Sequence, residues 1–385
     1  MAQTTFRQFL ARPQPFVDRS VFDGDVSRAC PSDSAQLSQL RKMAQARYRV
    51  RQLLWKLVFA TFLLMAIGSA TRVMNAGLAC PDWPLCYGTL IPAQQMNLQV
   101  FLEWIHRLDA SLIGVMTIGL VGLSVWQRKY LPKWLPWMAL FALLLVCVQG
   151  GLGALTVTAL LRFDIVTAHL GTALCFFALL LGMAIALIPA THHVVPSRSS
   201  SKDEALSLGS STKASSPLAQ SSTTLLKASS NSSPSQAIGV SQGFVWLSLG
   251  TTIMIYGQSL TGGLVGSRWA LHQCLAIAQL CTVMNSHLFG VIPSTAGILG
   301  LLLWTWKRRS SWDSLLQSFM QIAGVLLLLQ ICLGIATFRM HLEVEPLTIA
   351  HQATGAALFG TLLCVTVRAC LIRFAPPPIA STSVS

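Results

Sequence analysis

Four histidines are spaced as two copies of one arrangement. His106 and His287 stand 181 residues apart, and the same spacing carries Gln149, Leu152, Gly153 and Thr156 onto Gln330, Leu333, Gly334 and Thr337. His169 and His351 repeat with one inserted residue, in Ala168-His169-Leu170 and Ala350-His351-Gln352. Matches among small and apolar residues arise by chance in helical proteins, but two histidines falling in the same frame make duplication the better reading. Imidazole is the side chain most used for metal ligation and for proton transfer near neutral pH. Glu103 precedes His106 by three residues, which sets carboxylate and imidazole on one helix face, and Arg107 follows directly. The corresponding positions of the second copy hold Met284 and Leu288, which neither transfer protons nor pair charge. The first copy is thus equipped for chemistry and the second for holding a cofactor. A structural role for Glu103, as an interfacial carboxylate paired with Arg107 or Arg72, stays open beside the catalytic one.

The elements that must position these groups are membrane helices. With 53% hydrophobic and 10% charged residues among 385, the chain is too apolar for a soluble domain. Crossing the hydrocarbon core takes roughly twenty apolar residues as helix. Eight such runs are expected near 53–73, 105–126, 134–157, 164–189, 243–266, 283–306, 314–338 and 347–370. Basic residues fall on alternate connections: Arg41 to Arg51, then Arg128 to Lys133, then Lys202, Lys213 and Lys227, then Lys307 to Arg309, and finally Arg368 and Arg373. The positive-inside tendency then places both termini in the cytoplasm and makes the net charge of +14 a topology signal, not a nucleic-acid footprint. Residues 1–52 are polar and carry no cleavable secretion signal, and Asp18, Asp23 and Asp25 argue against a transit peptide, so they read as a cytoplasmic tail. The segment 190–241 is Ser-rich and reads as a flexible cytoplasmic linker.

The expected fold is an all-α polytopic membrane protein, its eight transmembrane helices forming two pseudo-symmetric four-helix bundles. The bundles span 53–189 and 242–372, and 373–385 forms a short cytoplasmic tail. Four spans in each half leave the two halves in the same orientation, related by an axis along the membrane normal.

This topology places His106, His169, His287 and His351 in the first turns of spans two, four, six and eight, at one membrane depth. Ionisable side chains are expensive in hydrocarbon and those retained there usually serve a site. Haem iron takes axial imidazoles from both sides of its plane, and helix bundles place such pairs well. Zinc usually wants a third or fourth ligand. Haem fits best, and spacing alone leaves a metal ion or a proton relay open. Gly150, Gly151, Gly153 and Gly334 would let a flat macrocycle, or equally a neighbouring helix, approach the backbone. Cys80 and Cys86 share the first outer loop, and Cys274 and Cys281 the third, so in an oxidising compartment each pair can close a structural or folding-linked disulfide. Cys147, Cys175, Cys332 and Cys364 lie inside spans and read as packing residues.

Beyond these patterns, Gly68-Ser-Ala-Thr-Arg72, Gly77-Leu-Ala-Cys-Pro-Asp-Trp-Pro-Leu-Cys86-Tyr-Gly88, Glu103-Trp-Ile-His106-Arg107 and Gln149-Gly-Gly-Leu-Gly153 through Thr167-Ala-His169 closely resemble the haem A synthase family. Thr261-Gly-Gly-Leu-Val-Gly266, His287 and Ile349-Ala-His351 extend the resemblance over about residues 53–370. It implies eight spans in two four-helix halves and an oxidoreductase of the bacterial inner membrane. The implied reaction converts haem O to haem A by oxidising the C8 methyl through successive hydroxylations, the geminal diol losing water to give the formyl group needed by terminal cytochrome oxidase. By the same resemblance His287 and His351 hold the iron of a resident haem b, His106 and His169 flank the substrate haem, and Glu103 assists the oxidation. The outer cysteine pairs Cys80–Cys86 and Cys274–Cys281 match those of bacterial members that carry both. Implied partners are haem O, an electron acceptor, the haem O-forming farnesyltransferase, cytochrome oxidase assembly factors, the lipid bilayer and a second copy of the chain. The rival readings are a bis-histidine membrane cytochrome that only relays electrons, and a haem transporter or assembly scaffold.

Overall fold

The computed structural model describes residues 31–188, 240–265, 278–308 and 313–374. Eight long helices carry them: α1 Pro31–Val73, α2 Leu98–Trp126, α3 Leu135–Thr158, α4 Phe163–Ala186, α5 Gln242–Val265, α6 Ala278–Lys307, α7 Ser314–Arg339 and α8 Glu345–Phe374. Seven are long and apolar enough to cross a membrane, and the protein is a multi-pass helical membrane protein. The exception is α5, which has no charged residue but is diluted by Ser248, Thr251, Thr252, Gln258, Ser259 and Thr261. Those groups are satisfied inside the protein. Ser248 and Thr252 donate to backbone carbonyls of their own helix, and Thr252 Oγ1 lies 3.0 Å from Thr366 Oγ1 of α8. Such pairing is what hydrocarbon demands of a polar helix.

The first helix begins at Pro31, well before the expected start near residue 53. Ala46, Val50, Leu54 and Leu57 form a buried stripe at helical spacing, and Arg41, Arg47 and Arg49 stay exposed. An apolar face one residue wide is enough to carry a helix out of the apolar run when the neighbouring protein supplies the rest.

Within each half the helices close a ring. Helices α1 to α4 pack in chain order and α4 returns against α1, and α5 to α8 repeat this pattern. Between the halves α8 packs on α1 and α4, and α5 packs on α4. Exchanging the halves turns the α1–α8 contact into the α4–α5 contact and leaves α4–α8 unchanged, so the contacts obey an approximate two-fold relation passing between α4 and α8. These central helices are 50% and 56% buried along their most apolar stretch, against 11–28% in the other spans. Gly360 of α8 allows that crossing, since a Cβ there would lie 2.8 Å from Phe177 Cε1 and 2.9 Å from Leu181 Cδ1 of α4. The outer faces present Phe59, Trp137, Ile253 and Val325, which lipid rather than water solvates.

Two expectations change here. Cys147, Cys175 and Cys332 are exposed on helix faces and do not pack the interior; Cys364 does. Arg368, counted among the basic residues of the connections, is buried in α8 and paired with Asp313.

Candidate functional site

Each histidine lies against a glycine of the preceding helix. A Cβ at Gly68 of α1 would stand 2.8 Å from Cε1 of His106, and one at Gly153 of α3 would stand 3.6 Å from Cε1 of His169. In the second half the corresponding distances are 2.7 Å between Gly262 of α5 and His287, and 3.0 Å between Gly334 of α7 and His351. Four imidazoles with four glycine seats are the structural content of the repeat. Of the glycines expected at the site, Gly153 and Gly334 seat histidines, and a Cβ at Gly150 or Gly151 would meet no protein atom within 4 Å. Gly68 and Gly262 are additional seats that the histidine spacing did not reveal.

The second-half rings face each other with centroids 6.5 Å apart and planes at 82°. Two imidazoles sharing one first-row metal ion need about this span, given nitrogen–metal bonds of ~2 Å. Nδ1 of His106, of His169 and of His351 is buried without a hydrogen-bond partner. A buried polar atom left unpaired is costly, which marks these imidazoles as groups built for something other than the protein itself. Among the described residues no three His, Cys, Asp or Glu side chains gather, so the donor set at each place is a pair of imidazoles. That set fits the two axial positions of a haem iron.

Glutamines hold the histidine-bearing turns. Gln149 Nε2 donates to the His169 carbonyl and to Thr172 Oγ1, both at 2.9 Å, and Gln258 Nε2 donates to the His287 carbonyl at 2.5 Å. Gln330 Nε2 sits 3.3 Å from His351 Nε2, and Thr261 Oγ1 sits 3.2 Å from His287 Nδ1.

Over the first pair lies the loop 74–97, closed by the Cys80–Cys86 disulfide. Cys80, Cys86 and Val100 form a small buried cluster, and Asn97 caps α2 by accepting from the Val100 N–H at 2.9 Å. The loop is tied to the helix by charge. Glu103 is 3% exposed; its Oε1 accepts from Arg107 at 2.5 Å and its Oε2 from the Cys80 N–H at 2.8 Å. Arg107 in turn donates to the carbonyls of Asp82 and Leu85, both at 2.6 Å, and of Cys80 at 3.3 Å. Glu103 therefore pairs with Arg107 and not with Arg72. The expected Cys274–Cys281 pairing involves side chains outside the described residues.

The rim of this loop is held by Asp82, whose carboxylate accepts the N–H of Tyr87 at 2.6 Å and of Gly88 at 2.8 Å. The Gly88 bond does most to hold the Asp82 carboxyl below its usual range, and Arg107 adds to it. A depressed folded pKa stabilises the loop above the ordinary carboxylate value of about 3.9 and is lost as pH falls through the lowered value. Hydrogen exchange at Tyr87 and Gly88 is therefore expected to accelerate, relative to helix amides, only below about pH 4. Asp82→Asn should remove that pH dependence, and an acid-insensitive wild type would contradict the assignment.

A family model described as cytochrome oxidase assembly protein (COX15-CtaA) matches residues 51–212. The heme A synthase of Shewanella oneidensis is 28% identical over 370 residues, covering 82% of this chain and 96% of that protein. That of Geobacillus kaustophilus is 34% identical over 137 residues, 34% of this chain and 41% of the relative. That of Rhizobium johnstonii is 29% identical over 178 residues, 39% of this chain and 48% of the relative. The last two alignments thus span less than half the length of those relatives.

Proposed function

We propose, from its likeness to haem A synthases, that the chain belongs to that family, oxidises the C8 methyl of haem O to a formyl group and so makes haem A for terminal cytochrome oxidase. The observation that carries this reading is the asymmetry of two otherwise matching histidine pairs. Above His106 and His169 lie a buried carboxylate and a loop closed by a disulfide. His287 and His351 stand beside Met284 and Leu288 instead.

His106 and His169 would hold substrate haem O, and His287 and His351 would hold a resident haem b. Haem bound there would supply the redox chemistry, the electrons withdrawn from the methyl leaving to an electron acceptor. The chain's own part is to orient and to manage charge. Gly68 and Gly153 seat the first two imidazoles, and Gln149 fixes the turn that carries His169. The Cys80–Cys86 loop covers the site against water, and Glu103 holds a negative charge or takes up a proton as the methyl is oxidised. While Glu103 exchanges a proton, the three carbonyl contacts of Arg107 keep the guanidinium in place. The basic connections put both termini on the cytoplasmic side of a bacterial inner membrane. An electron acceptor, the enzyme that makes haem O and oxidase assembly factors are its partners.

The test is the haem extracted from a host that makes haem O. Expressing the chain should convert haem O to formyl haem, and the purified protein should carry bis-histidine haem. His287→Ala and His351→Ala should lose the resident haem, whereas His106→Ala and His169→Ala should retain it and lose turnover. Haem without formyl product would leave an electron-relay cytochrome, and equal haem loss from all four variants would sink the division between the pairs.

A further inference from the structure

The two histidine pairs are joined across the halves by residues that each follow a site residue in sequence. Ser69 follows Gly68 and donates to Oε1 of Gln352, which follows His351, at 2.5 Å. Gly263 follows Gly262, and its carbonyl accepts from Arg72 Nη1 at 3.0 Å. Leu170 follows His169 and packs so closely on Gly263 that a Cβ there would stand 2.5 Å from Leu170 Cδ2.

Arg72 is the member of this junction whose charge nothing among the described residues answers. Among the described residues no carboxylate reaches it, one donor is used by Gly263, and Nε is buried without a partner. A guanidinium held at the edge of hydrocarbon is costly unless an anion meets it. Its place in the last turn of α1 gains from the helix dipole. That gain explains a cation there but neither the unpaired Nε nor the reach across to α5.

We propose that Arg72 binds a carboxylate of the tetrapyrrole seated between His287 and His351, so that one half of the protein supplies the anion anchor for the cofactor of the other. This rests on the function proposed above. The guanidinium ends beside Gly263, the neighbour of the glycine on which His287 lies. The second half carries Leu288 where the first carries Arg107, and Arg107 itself is committed to Glu103 and three carbonyls. A haem's carboxylates share one edge of the ring, and that edge belongs toward the helix ends and water. Arg72, one turn beyond Gly68, stands on that side of the histidines. The planar guanidinium fork suits a carboxylate.

The test uses the full-length holoprotein in detergent, with its resident haem or after exchange for haem dimethyl ester, which lacks the carboxylate charge. Loss of each to excess apomyoglobin is timed. The wild type should release the ester about tenfold faster than haem, the size expected for one charge-assisted contact. Arg72→Gln should release both at similar rates and show a lower haem midpoint potential, whereas Ser69→Ala, which opens the other bridge of the junction, should keep the wild-type preference. An undiminished preference in Arg72→Gln overturns the proposal. Should that variant not fold, Arg72→Lys decides: a point charge in place of the fork should reduce the preference, and an unchanged one overturns the proposal. A wild type that carries no tetrapyrrole at all overturns the proposed function itself.

Discussion

Glu103→Gln is expected to keep the fold, the Cys80–Cys86 disulfide and the haem content while lowering conversion of haem O about a hundredfold or more, the scale of losing a general base. The amide can still accept the Cys80 N–H that Oε2 accepts now, and it has nearly the same shape. What it loses is the charge beside Arg107 and the ability to take a proton. Three backbone carbonyls continue to hold Arg107, so the loop should stay seated. Glu103→Ala removes the acceptor as well and should loosen the loop in addition, seen as faster hydrogen exchange around Cys80. The measurement is the ratio of haem A to haem O in extracts, with haem per protein as the control. Wild-type conversion by the Gln variant would leave Glu103 a loop anchor and nothing more. The sequence left the catalytic and the structural roles as alternatives; the geometry shows the loop anchor, and this measurement decides whether the proposed catalytic role is added to it.

The histidines and Glu103 were legible because the 181-residue spacing aligns α2, α3 and α4 with α6, α7 and, after one insertion, α8. The seats Gly68 and Gly262 were not, and loop length is the reason. The segment 74–97 between α1 and α2 is longer than 266–277 between α5 and α6, so α1 and α5 fall out of the common frame. The same extra length supplies the loop that covers Glu103. A feature of the first half that makes it a candidate for chemistry therefore also hid half of the repeat. The helices themselves were readable as apolar runs, α5 included, though two features of them were not. The early start of α1 and the polar character of α5 depend on neighbours that bury a narrow stripe or pair a hydroxyl, and no local window of sequence contains those neighbours. Arg368 is misread for the same reason: its proximity to a basic chain end suggests solvent, and only the packing of three helices shows otherwise.

Arg368→Ala is expected to destabilise the protein by about 3–5 kcal/mol, the usual consequence of removing one partner of a buried ion pair. Arg368 Nε donates to Asp313 Oδ2 at 2.7 Å, with the two side chains 1% and 5% exposed. Its Nη1 donates to the Ile188 carbonyl at 3.2 Å, just past the end of α4. One side chain of α8 thus joins the start of α7 to the end of α4, tying the two halves at the end of the bundle opposite the histidines. Asp313 precedes α7, where a negative charge gains from the helix dipole, but it is too buried for water to replace the lost arginine. The cost should therefore arise from Asp313 more than from the missing contacts of Arg368. Removing both charges tests this directly. Arg368→Met with Asp313→Asn should recover most of the stability lost in Arg368→Ala, although it restores neither the ion pair nor the bond to Ile188. Reversible unfolding in mixed detergent micelles, followed by helix signal, would order the three proteins. If Arg368→Ala unfolds with the wild type, the pair is solvated and the tie between the halves lies elsewhere; if the double variant is no better than the single one, the bond to Ile188 outweighs the stranded charge.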